Sequence, residues 1–305
     1  MSLFKISRLS LPILMGLLAA PLHAQLPERF QNYPLATPGE TGEFVAPMFN
    51  GWIRNEDRSI TMIFGFANRN RTAVIDVPLG PNNKIEPAQF QGAQPTHFPV
   101  YKRRGFVGIQ ERGAFAVTVP PDMADIDVVW TLTSGGNTWS IPGNAGSAAY
   151  EMSAAEMASG SLKPAIRFDM DGPESVDPVG IYAERKFVSV GEPLTLSAHI
   201  QDRGVRDQYS GNDRLYYPLG TYWVMHQGPA APEIEIGEMR GRDRADEYTG
   251  DPNSNEWTEV SNQLTFPEPG EYIIRLRVDN FEAPDSQFDN VCCWSNAYFP
   301  VTVNP

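Results

Sequence analysis

The chain holds two cysteines, and they are neighbours: Cys292 and Cys293 in DNVCCWSNAYFP. In an oxidising compartment such thiols pair, and within this chain each has no cysteine to meet except the other; bonds to other chains and free thiols are the remaining fates. Neighbouring Cα atoms stand about 3.8 Å apart across a trans peptide, whereas ordinary disulfides span about 4.4–6.8 Å. A vicinal bond is therefore strained. It also closes almost no loop, so little of the chain-entropy stabilisation of a long-loop disulfide applies. What it can do is fix a kink and hold a sulfur surface beside Trp294, either as a binding rim or as a structural corner before the last strand.

Carboxylates form the second group. Asp169 and Asp171 in FDMDG, Asp177 after them, and Asp279 and Asp285 in the DNFEAPDSQFDN segment lie in two stretches that a β fold can bring to one end. Hard oxygens so placed would suit calcium, and the plainer expectation is a solvated acidic rim. DPNSNEW imitates the start of a calcium loop but has Glu256 at the sixth position and Asn262 at the twelfth, where that loop needs Gly and Glu. Among the histidines, His97 in QPTHFP is the candidate for a polar contact on a loop, or for a ring that holds a Pro-rich corner by bonding to backbone. His199 and His226 have no His or Cys at metal-ligand spacing. The sequence lacks a nucleophile elbow, HExxH, a Walker loop and a dinucleotide fingerprint. With 37 acidic residues, a glycosidase-like carboxylate pair stays open.

Short strands must position these groups. SITMIFGFAN alternates Ile60, Met62, Phe64 and Phe66 against smaller residues, which predicts a half-buried strand. AFAVTVP and IDVVWTLT repeat the pattern with Phe115, Val117 and Val119, then Ile126, Val128, Trp130 and Leu132. Turn residues punctuate them, as in a β-sandwich. AAYEMSAAEMAS is the one helix candidate, with a poor helical stripe. From 161 to 178 the chain is rich in Gly, Pro, Ser and Asp and reads as a linker. Beyond it, PLTLSAHI faces Leu194, Leu196, Ala198 and Ile200 inward, TYWVM supplies Trp223, and EYIIRLRV sets Tyr272, Ile274, Leu276 and Val278 against Ile273, Arg275 and Arg277.

The first 24 residues place Lys5 and Arg8 before an apolar run that ends at Ala24, the pattern of a cleaved signal peptide. That run is too short for a membrane span, and Gln25 follows where a lipoprotein would have Cys. Processing leaves 22 basic against 37 acidic residues, a net charge of −15. Nucleic acid and anionic lipid are poor partners for such a surface. The expected layout is a signal peptide (1–24), an extension (25–42), a first sandwich (43–160), a linker (161–178) and a second sandwich (179–305), an all-β chain soluble in the periplasm or outside the cell.

With VSVGEPLTLSAHIQD, YWVMHQGP, FPEPGEYIIRLRVDN and AYFPVTV in that order, the second half resembles a PKD-type or related bacterial Ig-like domain. Inserts at Arg203–Pro218 and Arg240–Asn255 depart from a minimal domain of that type. The first half, with GWIRNEDRSITMIFGFANRN, VPLGPNN, QPTHFP and WTLTSGGNTW, together with CCWSNAY, resembles a group of uncharacterised exported bacterial proteins of the same two-part layout. These resemblances imply architecture and carry no activity. The expected function is a non-catalytic exported module that recognises a glycan or an envelope or extracellular protein through Trp294, Tyr298, Tyr216, Tyr217 and His97, with the Cys292–Cys293 corner beside them. The alternative is a carboxylate-dependent hydrolase acting on an extracellular polysaccharide.

Overall fold

The computed structural model describes residues 39–100, 110–157, 160–205, 219–234, 256–280 and 293–305. These residues are all-β, and their helices are single three-residue 3-10 turns such as Ala148–Tyr150, where the helix candidate began. The first half contributes β1 (Val45–Arg54), β2 (Ile60–Asn68), β3 (Ile75–Asp76), β4 (Asn83–Glu86), β5 (His97–Phe98), β6 (Gln110–Val119), β7 (Val128–Ser134) and β8 (Asn137–Gly143). Sheet β1-β2-β6 faces sheet β4-β7-β8, and β3 pairs with β5 at the side. Period-two alternation sends Met62, Phe64, Phe66, Phe115, Val117, Val128, Trp130 and Leu132 into one core. There Phe115 meets Trp130 edge-on, with ring centroids 5.0 Å apart.

The second half adds β9 (Ala165–Arg167), β10 (Glu174–Ser175), β11 (Ile181–Tyr182), β12 (Lys186–Ser189), β13 (Pro193–Gln201), β14 (Gly220–Gln227), β15 (Glu233–Ile234), β16 (Thr258–Thr265), β17 (Gly270–Asp279) and β18 (Trp294–Asn304). One sheet runs β10-β9-β13-β16-β15, and the other runs β11-β18-β17-β14 with β12 also beside β18. Between them lie Leu196, Ala198, Ile200, Trp223, Tyr272, Ile274, Leu276, Val278, Phe299 and Val301, as the alternation predicts. Segment 161–178, read as a linker, supplies β9 and β10 to this sheet, and Ile166 to its core.

Two local expectations change. Strand β2 is buried on both faces rather than one. It is the central strand of its sheet, and its second face is also covered, with Ile63 packing beside Ile53, Ala116, Met152 and Trp294. The β11-β18-β17-β14 sheet is likewise buried on both faces along part of its length. Trp223 and Met225 of β14 enter the second core, while Tyr222 and Val224, of opposite parity, enter the first.

Candidate functional site

Arg275 and Arg277 have the outward parity of β17, and the first half covers them. The cover is a bulge in β6. Phe64 pairs with Phe115 and Phe66 with Glu111, so the short stretch through Gly65 opposes Arg112, Gly113 and Ala114. Gly65 admits this close approach because a Cβ there would sit 2.1 Å from the Glu111 carbonyl oxygen. The three bulge carbonyls accept hydrogen bonds from the second half in turn: Arg112 from Arg277 Nη1, Gly113 from Asn296 Nδ2 at 3.0 Å, and Ala114 from Arg275 Nη1. Arg275 Nη2 also pairs with Glu111 Oε1, which is fully buried, and Arg277 Nε donates to Asp279 Oδ2 at 3.0 Å. Gly113 has φ +61°, and the Trp294 indole lies on it so closely that a Cβ would fall 1.4 Å from Nε1.

At the other end of this junction, His226 Nε2 donates to the Ala93 carbonyl at 2.9 Å, and Gln227 Nε2 donates to the Gly92 and Gln94 carbonyls at 2.8 Å each. Burial, aided by the nearby Arg275 charge and opposed by the bond to Ala93, lowers the His226 pKa from 6.5 to about 3. Its ring is neutral at physiological pH. These charged and polar groups weld two β cores together and face no solvent.

The residues expected to form a binding rim lie elsewhere than expected. Trp294 and Tyr298 are each about 2% exposed, which corrects their reading as an exposed aromatic platform. Their parity on β18 is that of Asn296, so they face the β6 bulge. The Tyr298 phenol donates to the Pro178 carbonyl at 3.4 Å, and burial raises its pKa. His97 sits on strand β5 rather than on a loop, buried, with Nδ1 2.7 Å from Asp76 Oδ1, directly opposite on β3. A carboxylate, not backbone, orients it. Tyr216, Tyr217, Asp285 and Cys292 lie outside the described residues. Cys293 is buried against Met157, and no free cysteine occurs among the described residues.

Of the acidic candidates, Asp169 and Asp171 are exposed, and Asp177 Oδ1 accepts from the Val179 and Gly180 amides at 2.8 and 3.2 Å. Asp279 is spent on Arg277. No group of three or more His, Cys, Asp or Glu suited to a metal occurs among the described residues.

An accessible constellation lies on the outer face of the five-stranded sheet. Antiparallel register sets Arg167 of β9 beside His199 of β13, and His199 beside Glu259 of β16. The next rows pair Ser197 with Ser261 and Thr195 with Gln263, all four exposed. Trp257, one residue before β16, shares the parity of Glu259, and the Arg167 guanidinium carbon stands 3.7 Å from its ring centroid. His199 Nδ1 donates to the Phe168 carbonyl at 3.3 Å. The sequence signal for this face was the alternation of Thr195, Ser197 and His199 against Leu194, Leu196 and Ala198. Trp257 was missed because it precedes the strand it belongs with.

No family model matches the sequence, and no curated protein matches it. Among solved structures, a titin substructure superposes with a TM-score of 0.20 at 10% identity, over 85% of this chain and 100% of its own. A protein of unknown function from Porphyromonas gingivalis gives 0.19 at 11%, over 85% and 99%. Neither likeness bears on what this chain does.

Proposed function

We propose that the chain is an exported, non-catalytic binding module, an Ig-like pair of β-sandwiches freed of its signal peptide in the periplasm or outside the cell, which recognises a glycan or an envelope or extracellular protein. The observation that carries this reading is the outer face of the β10-β9-β13-β16-β15 sheet: hydroxyl and amide side chains in rows, ending at the cation–π pair of Arg167 and Trp257. Rigid sheet faces hold such donors in register with little entropy left to lose on binding. The recognition surface thus moves from the loop aromatics to a sheet face. The Cys292–Cys293 bond fits a structural corner better than a binding rim, since Cys293 is sealed against Met157. The hydrolase alternative would need two carboxylates facing one cleft, and Glu111 and Asp279 are committed to arginines in the junction.

A glycan array and an affinity pull-down with the mature protein test the reading. Saturable capture that weakens in a Ser197→Arg, Gln263→Arg variant of unchanged stability is the expected result. Turnover of any glycan by the wild-type protein, or capture indifferent to that variant, overturns it.

A further inference from the structure

We propose that Arg167, His199 and Trp257 form a subsite for a uronate, the carboxylate-bearing sugar of an acidic glycan; this rests on the reading of the sheet face as the recognition surface. Arg167 is held and unspent. Its guanidinium carbon stands over the Trp257 ring, 3.7 Å from the centroid, a contact that restrains the side chain. It makes no ion pair among the described residues, in a chain with 37 acidic side chains. Its one hydrogen-bond contact there is a weak one, Nη2 on Met170 Sδ at 3.4 Å; Nε is buried, so the fork left to a ligand is the Nη1–Nη2 edge. A planar fork that is fixed in place and lacks a carboxylate is the geometry that bidentate carboxylate recognition requires.

His199 adds the second specification. A carbonyl only accepts, so the bond to Phe168 fixes the Nδ1–H tautomer and leaves Nε2 as an acceptor in the neutral ring. The neighbouring position therefore takes a hydroxyl hydrogen. A ligand with a carboxylate and a hydroxyl on adjoining atoms of one ring satisfies both groups, and a uronate has that pattern. Outward side chains recur about every 6.7 Å along a strand, so Ser197 with Ser261, then Thr195 with Gln263, continue the surface for further sugars.

The surroundings limit the ligand. Glu174 stands opposite Arg167 on β10, Glu259 lies beyond His199, and Asp169 and Asp171 follow β9, all of them exposed. A polymer with a carboxylate on every sugar would be repelled. A glycan with isolated uronates between neutral sugars fits.

The test is calorimetric titration of the mature protein with three probes: an oligosaccharide alternating uronate and neutral sugars, the same oligosaccharide with its carboxyls reduced to alcohols, and an oligomer made wholly of uronate. The alternating probe should bind, with about tenfold or greater loss on carboxyl reduction, and the all-uronate oligomer should bind more weakly than the alternating one. Arg167→Gln should abolish the difference between the alternating and reduced probes, and Arg167→Lys should restore part of it, with unfolding midpoints confirming that both variants fold. Equal binding of the alternating and reduced probes, or an Arg167→Gln variant that still tells them apart, overturns the uronate subsite and leaves the binding-module reading standing. A protein that captures no glycan and no envelope or extracellular protein loses both.

Discussion

Arg275→Met should destabilise the protein by about 3–4 kcal/mol. The substitution removes the charge that faces Glu111, which has no solvent to turn to, and it also takes a donor from the Ala114 carbonyl. Breaking one partner of a buried ion pair costs about 3–5 kcal/mol, because the remaining charge stays buried. Arg277 Nη1, at 3.9 Å from Glu111 Oε1, still neutralises part of that charge, which places the expectation near the lower end. For a domain of about 150–250 residues each kcal/mol moves Tm by roughly 2–4 °C, so a fall on the order of 10 °C is expected. Thermal and urea unfolding followed by circular dichroism read it directly. Adding Glu111→Gln should recover about 1–2 kcal/mol, since a neutral amide is cheaper to bury than a carboxylate that has lost Arg275. A loss below about 1 kcal/mol in the single variant, or a double variant no more stable than the single, would refute the account of the junction as a desolvated charge lock.

Gly113→Ala should cost about 2–4 kcal/mol, since the left-handed φ strains any side chain and the added Cβ would fall on the Trp294 indole; a Tm near wild type with unchanged tryptophan emission would contradict the packing described. His226 is neutral in the fold with a pKa of about 3 and would regain its ordinary 6.5 on unfolding. Below pH 6.5 the unfolded chain thus binds the extra proton, and stability should fall by up to about 1.4 kcal/mol per pH unit between pH 6.5 and about 3. Urea midpoints for wild type and His226→Gln should show that slope reduced in the variant, and parallel profiles would count against it. Cys292 and Cys293 should appear as one cross-linked peptide by mass spectrometry of unreduced protein. Reducing them should change global stability by less than about 1 kcal/mol; two alkylatable thiols, or a loss of several kcal/mol, would overturn that expectation.

The second core was legible because its strands alternate cleanly. Leu196, Ala198 and Ile200, then Tyr272, Ile274, Leu276 and Val278, occupy the inward positions that their spacing demands. Burial of β2 on both faces was not legible. Its alternation is what a half-buried strand shows, yet Thr61 and Ala67 are small enough to be covered and Ile63 is itself apolar. Trp294 and Tyr298 misled for a related reason: an aromatic beside a corner reads as a platform, and whether it is one depends on the β6 bulge, which Asn296 of the same strand meets 183 residues earlier in the chain.

Arg275 and Arg167 differ in what their faces meet. Both are arginines on short strands, each of parity opposite to its neighbours Ile274 and Ile166 in the second core. By sequence they are equivalent. Arg275 lies on the face that meets the β6 bulge, where three carbonyls and Glu111 take its donors and those of Arg277 and Asn296. Arg167 lies on the opposite sheet, where among the described residues its contacts are the Trp257 ring and Met170 Sδ, and no carboxylate pairs with it. Parity assigns a side chain to a face; only sheet order says what that face meets. The chain spends buried charge pairs on joining two cores, whereas the outer face of the other sheet is marked in the sequence by no more than alternating Ser, Thr and Gln.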